Sequence, residues 1–268
     1  MKNKSSKRSL ARQVYNNSPI IEALVEVYFS QTKSDFSVWA DFSNRVKNLY
    51  PNVEELLIPK AELQISPSGE SKQKISPEKL YRFYNKDKTQ LIQANKDFVT
   101  VNQLKTYSGY EKFRTEVKES LRNYIDVTSP KSINRIGVRY INEIIIPKVS
   151  IELSEYFRFM PQIPDETTEE VSNVLLQIQF VPKNSNHQVT TSLRSGISSI
   201  EGQAVFLFDI YDILQIHNEV DIELILNSVD EAHENAEKVF EDFITDKARK
   251  LFGVVKNNDS KRRTKIQK

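Results

Sequence analysis

Two glutamates and two arginines carry the strongest chemical pattern in the chain. Glu22 and Glu26 stand four residues apart where Ile21, Ala23, Val25, Val27 and Phe29 alternate with the residues between them. Arg135 and Arg139 stand four apart in a second alternating stretch, residues 133–146. Alternation at period two puts each pair on one face of a strand. If the two strands are neighbours, carboxylates and guanidiniums can meet across them in charge-assisted hydrogen bonds. Such a seam can bind a polar ligand, with Tyr140 and Asn142 of the second stretch as further candidates, or it can simply pin strand register. The register reading is preferred.

Other groups invite weaker chemistry. Gln93 with Asn95, Gln177 with Gln179, and Thr190 with Ser192 and Arg194 are polar rows that can line a strand face, as solvated antiparallel sheets generally do. His233 has Asp230, Glu234 and Glu237 within helical reach. One His-x-x-x-Glu pair is half of a metal site, because catalytic zinc or iron asks for three protein ligands and an open position. A solvated helix face is the preferred account. Asp209 and Asp212 offer carboxylates for metal-dependent phosphodiester cleavage, but no nearby lysine completes a nuclease-like pattern.

Absences narrow the field further. The six glycines form neither a phosphate loop nor a dinucleotide fingerprint, and Ser195-Gly196 lacks the flanking glycine of a nucleophile elbow. With no cysteine, disulfides, thiolate metal sites and cysteine nucleophiles are excluded, and a reducing compartment is the natural setting. No apolar run approaches the roughly 18 residues of a membrane span, so a cytoplasmic protein is expected. The residues call for no cofactor, no metal and no catalytic set.

Charge is distributed unevenly. Residues 1–12 and 256–268 each carry +5, which leaves −8 for residues 13–255 of the overall +2. Lys7, Arg8, Lys261, Arg262 and Arg263 are therefore the candidates for contact with nucleic-acid phosphates, through weak, salt-sensitive binding. The acidic body argues against a uniformly basic binding surface.

These residues need elements to hold them. The first strand is followed by a helix that Ser34 can cap, with Phe36, Trp39, Phe42, Val46 and Leu49 on one face and Pro51 as its stop. Extended segments are expected near 61–66, 80–85 and 91–104, with a turn at Pro67-Ser68-Gly69 and a split at Lys96-Asp97. Tyr110, Phe113, Val117, Leu121, Tyr124 and Ile125 then mark a second helix. The order repeats from residue 133: a long strand, a short helix near 151–159, the Pro161–Pro164 loop, strands near 171–181, 187–193 and 202–215, and a helix from about 228 to 252.

The expected fold class is α+β: two β-α-β-β-β-α halves, 18–130 and 131–253, forming a curved antiparallel sheet with long helices on one face, flanked by basic flexible tails at 1–17 and 254–268. Two separate domains joined near Pro130 are the competing topology. The element order resembles the duplicated fold of the TATA-binding protein.

Pro19-Ile20-Ile21-Glu22-Ala23-Leu24-Val25-Glu26, Gly109-Tyr110-Glu111-Lys112-Phe113 and above all Asn134-Arg135-Ile136-Gly137-Val138-Arg139-Tyr140-Ile141-Asn142 resemble a sporadically distributed bacterial family of uncharacterised proteins. Its members often carry Asn-Trp-Arg where this chain has Asn102-Gln103-Leu104, so that tryptophan and arginine are missing here. The resemblance implies no reaction. By analogy it implies an accessory of a phage-defence or toxin–antitoxin module. The leading expectation is a non-enzymatic regulatory protein that engages a partner protein or small polar ligand through its open sheet face or helix groove. The alternatives are a nucleic-acid-binding saddle and a metal-dependent nuclease or hydrolase.

Overall fold

Alternation in the sequence becomes alternation of burial. A computed structural model describes residues 15–30, 32–33, 35–65, 71–148, 150–161 and 171–253. Strand β1 (Ile20–Ser30) buries Ala23, Val25, Val27 and Phe29 while the residues between them stay partly exposed. It is followed by α1 (Phe36–Val46), β2 (Asn52–Ile65), β3 (Ser71–Tyr84), β4 (Gln90–Ala94), β5 (Phe98–Leu104) and α2 (Tyr110–Thr128). The chain continues through β6 (Ser132–Ile146), a 3₁₀ turn at Leu153–Glu155, β7 (Leu175–Phe180), β8 (Gln188–Ser195), β9 (Ala204–Glu219), α3 (Ile222–Phe243) and α4 (Asp246–Phe252).

The nine strands of the described residues form one antiparallel sheet in the order β2-β3-β4-β5-β1-β6-β9-β8-β7. β1 and β6 pair at its centre, with Val25 opposite Val138 and Val27 opposite Ile136. A single sheet therefore replaces the alternative of two separate domains. No helix of the described residues is long and apolar enough to cross a membrane.

Several local expectations are corrected. The α1 cap is Asp35, whose carboxylate accepts from the N–H groups of Ser37 (2.9 Å) and Val38 (3.3 Å). The split expected at Lys96-Asp97 is present: the stretch 91–104 turns back on itself at Asn95, whose side-chain oxygen accepts from Asp97 N (2.9 Å) and Phe98 N (3.0 Å), so that four strands rather than three follow α1. β2 and β3 run longer than expected, through Pro59 and Pro77, which lie opposite each other. β4 pairs only with residues 81–84 of β3, so Pro77 takes no ladder position that needs an N–H on that side. The expected helix near 151–159 shrinks to one 3₁₀ turn, because Phe157 bridges to Ile244 and both are fully buried. That same bridge splits the expected last helix. α3 begins earlier, at an Asp221 cap, and α4 restarts after Ile244 with Thr245 Oγ1 accepting from Ala248 N (3.3 Å). Ser34, the turn at 67–69, most of the 161–164 loop and the basic residues of both tails lie outside the described residues.

Helices are held to the sheet largely by aromatic contacts. Trp39 of α1 stacks on Tyr81 at 4.9 Å, Phe42 meets Phe83 edge-on at 5.1 Å, and Tyr124 of α2 stacks on Phe29 at 5.3 Å. Phe240 of α3 stacks on Phe208 of β9 at 6.1 Å. Full burial of each such ring contributes about 1.5–3 kcal/mol.

Candidate functional site

On the face of β1 and β6 that carries the charges, Glu26 pairs with Gly137, Leu24 with Arg139 and Tyr28 with Arg135. Arg135 donates to Glu26 at 2.7 Å, and its guanidinium lies 4.0 Å from the Tyr28 ring centroid. Tyr211 of β9 also donates to the Glu26 carboxylate. Burial first, then that hydrogen bond, pushes the Tyr211 phenol well above its ordinary value. Gly137 makes this possible: a Cβ there would stand 2.9 Å from the Tyr211 ring and 3.0 Å from Glu26. The ring covers a strand glycine, and the glycine leaves room for the ring.

The second expected pairing takes other partners. Arg139 makes a two-pronged contact with Asp209 of β9, its Nε donating at 2.9 Å, and this bond raises its already high pKa despite partial burial. Glu22 accepts instead from Asn102 at 2.7 Å, at the end of a chain running through Thr100 and Gln93 to Arg82. The structure thus brings Glu26 and Arg135 into a direct hydrogen bond and gives Glu22 and Arg139 other hydrogen-bond partners, Glu22 still adding to the electrostatic support of the Arg139 charge. Thr190 and Ser192 lie opposite Tyr211 and Asp209, and Gln179 and Gln177 continue the same rows on β7. Asn95 leaves its row for the turn. Each central guanidinium already holds a carboxylate, although among the described residues Arg135 Nε is buried without a hydrogen-bond partner.

Tyr140 and Asn142 lie on the opposite face, where Tyr140 meets α3. Asn142 donates to the Phe208 carbonyl at 3.1 Å and is buried. Tyr140 OH is 2.9 Å from His233 Nδ1. The His233 ring stacks on Tyr110 with centroids 3.6 Å apart, and Tyr110 donates to Asp230, which also takes Arg114 in a two-pronged pair at 2.7 and 2.9 Å. His233 is therefore not on a solvated helix face, and Asp230 is committed to Arg114. Burial opposes the charge on Asp230, but Arg114 and Tyr110 outweigh it and hold the carboxyl below its usual range. Glu234 is exposed.

Tyr110, Tyr140, Asn142 and His233 border a cleft of ≈ 340 Å³ between α3, β6, the start of β1 and the start of α2. Tyr15, Tyr107, Tyr110 and Tyr140 furnish its aromatic surface, and His233, Glu237 and Glu241 are its other ionisable residues. Tyr15 donates to Glu241 at 2.6 Å, and Arg249 holds the same carboxylate at 2.7 Å. Burial above all keeps the phenols of Tyr15, Tyr110 and Tyr140 protonated, and hydrogen bonds to Glu241 and Asp230 reinforce the first two. The cleft draws on residues 15–20, 107–110, 140–142 and 210, which converge under residues 233–241 of α3. No local spacing announces such an assembly; of its lining, the Tyr140-x-Asn142 pair and the His233-x-x-x-Glu237 pair were legible as candidates.

A third cluster also escaped the sequence reading. His187 Nδ1 lies 2.5 Å from Asp212, and both side chains are buried. Asn235 donates to the other Asp212 oxygen at 2.9 Å, and His187 Nε2 faces Glu231 at 3.6 Å. Burial works against the imidazolium, but Asp212 and Glu231 outweigh it and lift His187 above 6.5. Asp212 thereby ties α3, through Asn235, to β9 and to His187, the residue preceding β8. Asp212 faces α3 and Asp209 lies on the other face of β9 with Arg139, so the two cannot converge on one metal. Among the described residues no group of three or more His, Asp or Glu side chains is placed to hold a metal ion.

The fold and cleft define an α+β protein with a tyrosine-lined pocket beneath a long amphipathic helix. No protein family matches the chain, and no curated protein matches it either.

Proposed function

We propose that this chain is a non-enzymatic binding protein whose working site is the cleft between β6 and α3. The observation that carries the reading is the cleft itself. Its volume of ≈ 340 Å³ falls within the about 300–1,000 Å³ usual for small-ligand pockets, and an apolar aromatic wall with a few convergent polar groups is the usual lining. The open face supports the reading by contrast, because its central arginines are already paired with carboxylates. Of the earlier candidates, Tyr140 and Asn142 become cleft residues, while Glu22, Glu26, Arg135 and Arg139 become residues that fix strand register. The central pairing of β1 with β6 supports a fold of two related halves with the helices gathered on one side. A place in a bacterial defence or toxin–antitoxin module rests on the sequence resemblance.

The test is native mass spectrometry of the protein equilibrated with a small-molecule extract of bacterial cells. A retained mass on the wild-type chain that disappears in Ser18→Trp is expected, since Ser18 lines the cleft and is exposed enough to accept an indole without disturbing the core. A retained mass unaffected by Ser18→Trp and Ser108→Trp would place the site elsewhere, and no retained mass would count against a small-ligand role.

A further inference from the structure

We infer that the two basic stretches flanking the body, residues 1–12 and 256–268, act as one composite contact for nucleic-acid backbones, because the body fixes their points of attachment side by side. The inference goes beyond the cleft and does not depend on it.

The described residues supply the junction. Asn16 N donates to the Gly253 carbonyl at 2.8 Å and Asn17 N to the Phe252 carbonyl at 3.0 Å, so the stretch leading into β1 is bonded to the end of α4. A latch beneath holds the two together. Tyr15 meets the Phe252 ring edge-on at 5.4 Å and donates to Glu241 at 2.6 Å, and Arg249 of α4 donates to the same carboxylate at 2.7 Å. Glu241 and Arg249 are both buried, so opening the latch would leave charges uncompensated in the interior. Gly253 has a φ of 67°, in the region that favours glycine, and packs directly against Asn16.

Connectivity alone then bounds where the charges lie. Residues 1–12 and 256–268 carry +5 each, against −8 for residues 13–255. Arg12 and Lys256 each stand three residues from the junction, no more than about 10 Å away, and no charge of either stretch lies farther than about 50 Å. Lys250, exposed in the last turn of α4, adds to them. Two +5 runs therefore leave an acidic body from one point. Neutralising phosphates releases condensed counterions, and once one stretch is engaged the other binds at a high effective concentration. A nucleic acid fits better than a lipid surface. The basic residues are interleaved with Asn, Ser, Thr and Gln, which hydrogen-bond phosphates, and only Met1, Leu10 and Ile266 are large apolar residues that could enter a bilayer.

Fluorescence anisotropy of a labelled, mixed-sequence DNA duplex of about 20 base pairs tests this on the full chain and on chains lacking residues 1–12, 256–268 or both. Lys7→Gln with Arg8→Gln, and Arg262→Gln with Arg263→Gln, repeat the test at unchanged length. Each single deletion is expected to weaken Kd at least about tenfold and to flatten the salt dependence by about half, each paired substitution acting in the same direction. An equimolar mixture of the two single deletions should bind no more tightly than either alone. Two independent contacts would instead leave Kd within about twofold after one deletion, and that result overturns the composite. So does a loss confined to one stretch, restoration by the mixture, binding that survives the double deletion, or no binding by the full chain at low salt. Tighter binding to phosphatidylglycerol vesicles than to the duplex would overturn the nucleic-acid assignment.

Discussion

On one face of β6, Arg135 and Arg139 are each hydrogen-bonded to a carboxylate from a neighbouring strand, Glu26 and Asp209. On the other face, Tyr140 meets His233 of α3, and further along the sheet Asp212 of β9 meets His187 and Asn235. The first set is partly open to solvent, and its partners are dictated by strand register. The second is covered by helices, and its partners come from elements that approach at an angle. Strand pairing leaves little room between side chains, so charges on the open face close on one another. Helix-on-sheet packing leaves gaps, and the cleft occupies one of them. The difference also sets the energy scale, because solvent screens the first set and its exclusion from the second magnifies the cost of breaking a pair there.

The sharpest break in this contrast is Asp212→Ala. It strips the partner from both His187 and Asn235, and leaving two covered polar groups unsatisfied at about 1–3 kcal/mol each predicts a loss of about 2–5 kcal/mol in urea unfolding; a loss below about 1 kcal/mol would show that the covered face is no more demanding than the open one. Gly137→Ala comes next. Its new methyl group meets Tyr211 and Glu26 at about van der Waals overlap, and a cost of about 1–3 kcal/mol is expected. Tyr211→Ala in the same background should return part of it.

Titration of His187 gives a smaller, pH-dependent effect. Its folded pKa lies above the unfolded 6.5, so its contribution is fully present below pH 6.5 and fades as pH rises through the folded value. Urea midpoints should fall across that window in the wild type and flatten in His187→Gln; a midpoint that rises there contradicts the assignment. The smallest effect is expected on the open face. A double-mutant cycle over Arg139→Ala and Asp209→Ala should give a coupling of about 0.2–1 kcal/mol that shrinks with added salt. Coupling several times larger, indifferent to salt, would erase the distinction between the faces.

Some of this was readable from the residues. The period-two alternation of residues 21–29 and 133–146 was enough to assign faces, and the same rule separates Asp209 from Asp212, three apart on β9 and so on opposite sides. The amphipathic stripes located α1 and α2 closely. The α3–α4 break was hidden because Val239, Phe240, Ile244 and Ala248 keep helical spacing through it, and only the bridge from Phe157 reveals why Ile244 leaves the helix.

By itself, then, the sequence determined which side chains share a strand face and which helices are amphipathic, because those follow from the repeat of one short segment. Which carboxylate each arginine takes depends on register between strands far apart in the chain. The cleft depends on four separated segments converging under α3. Both are properties of packing between elements, and a periodicity confined to one element contains no information about its neighbour.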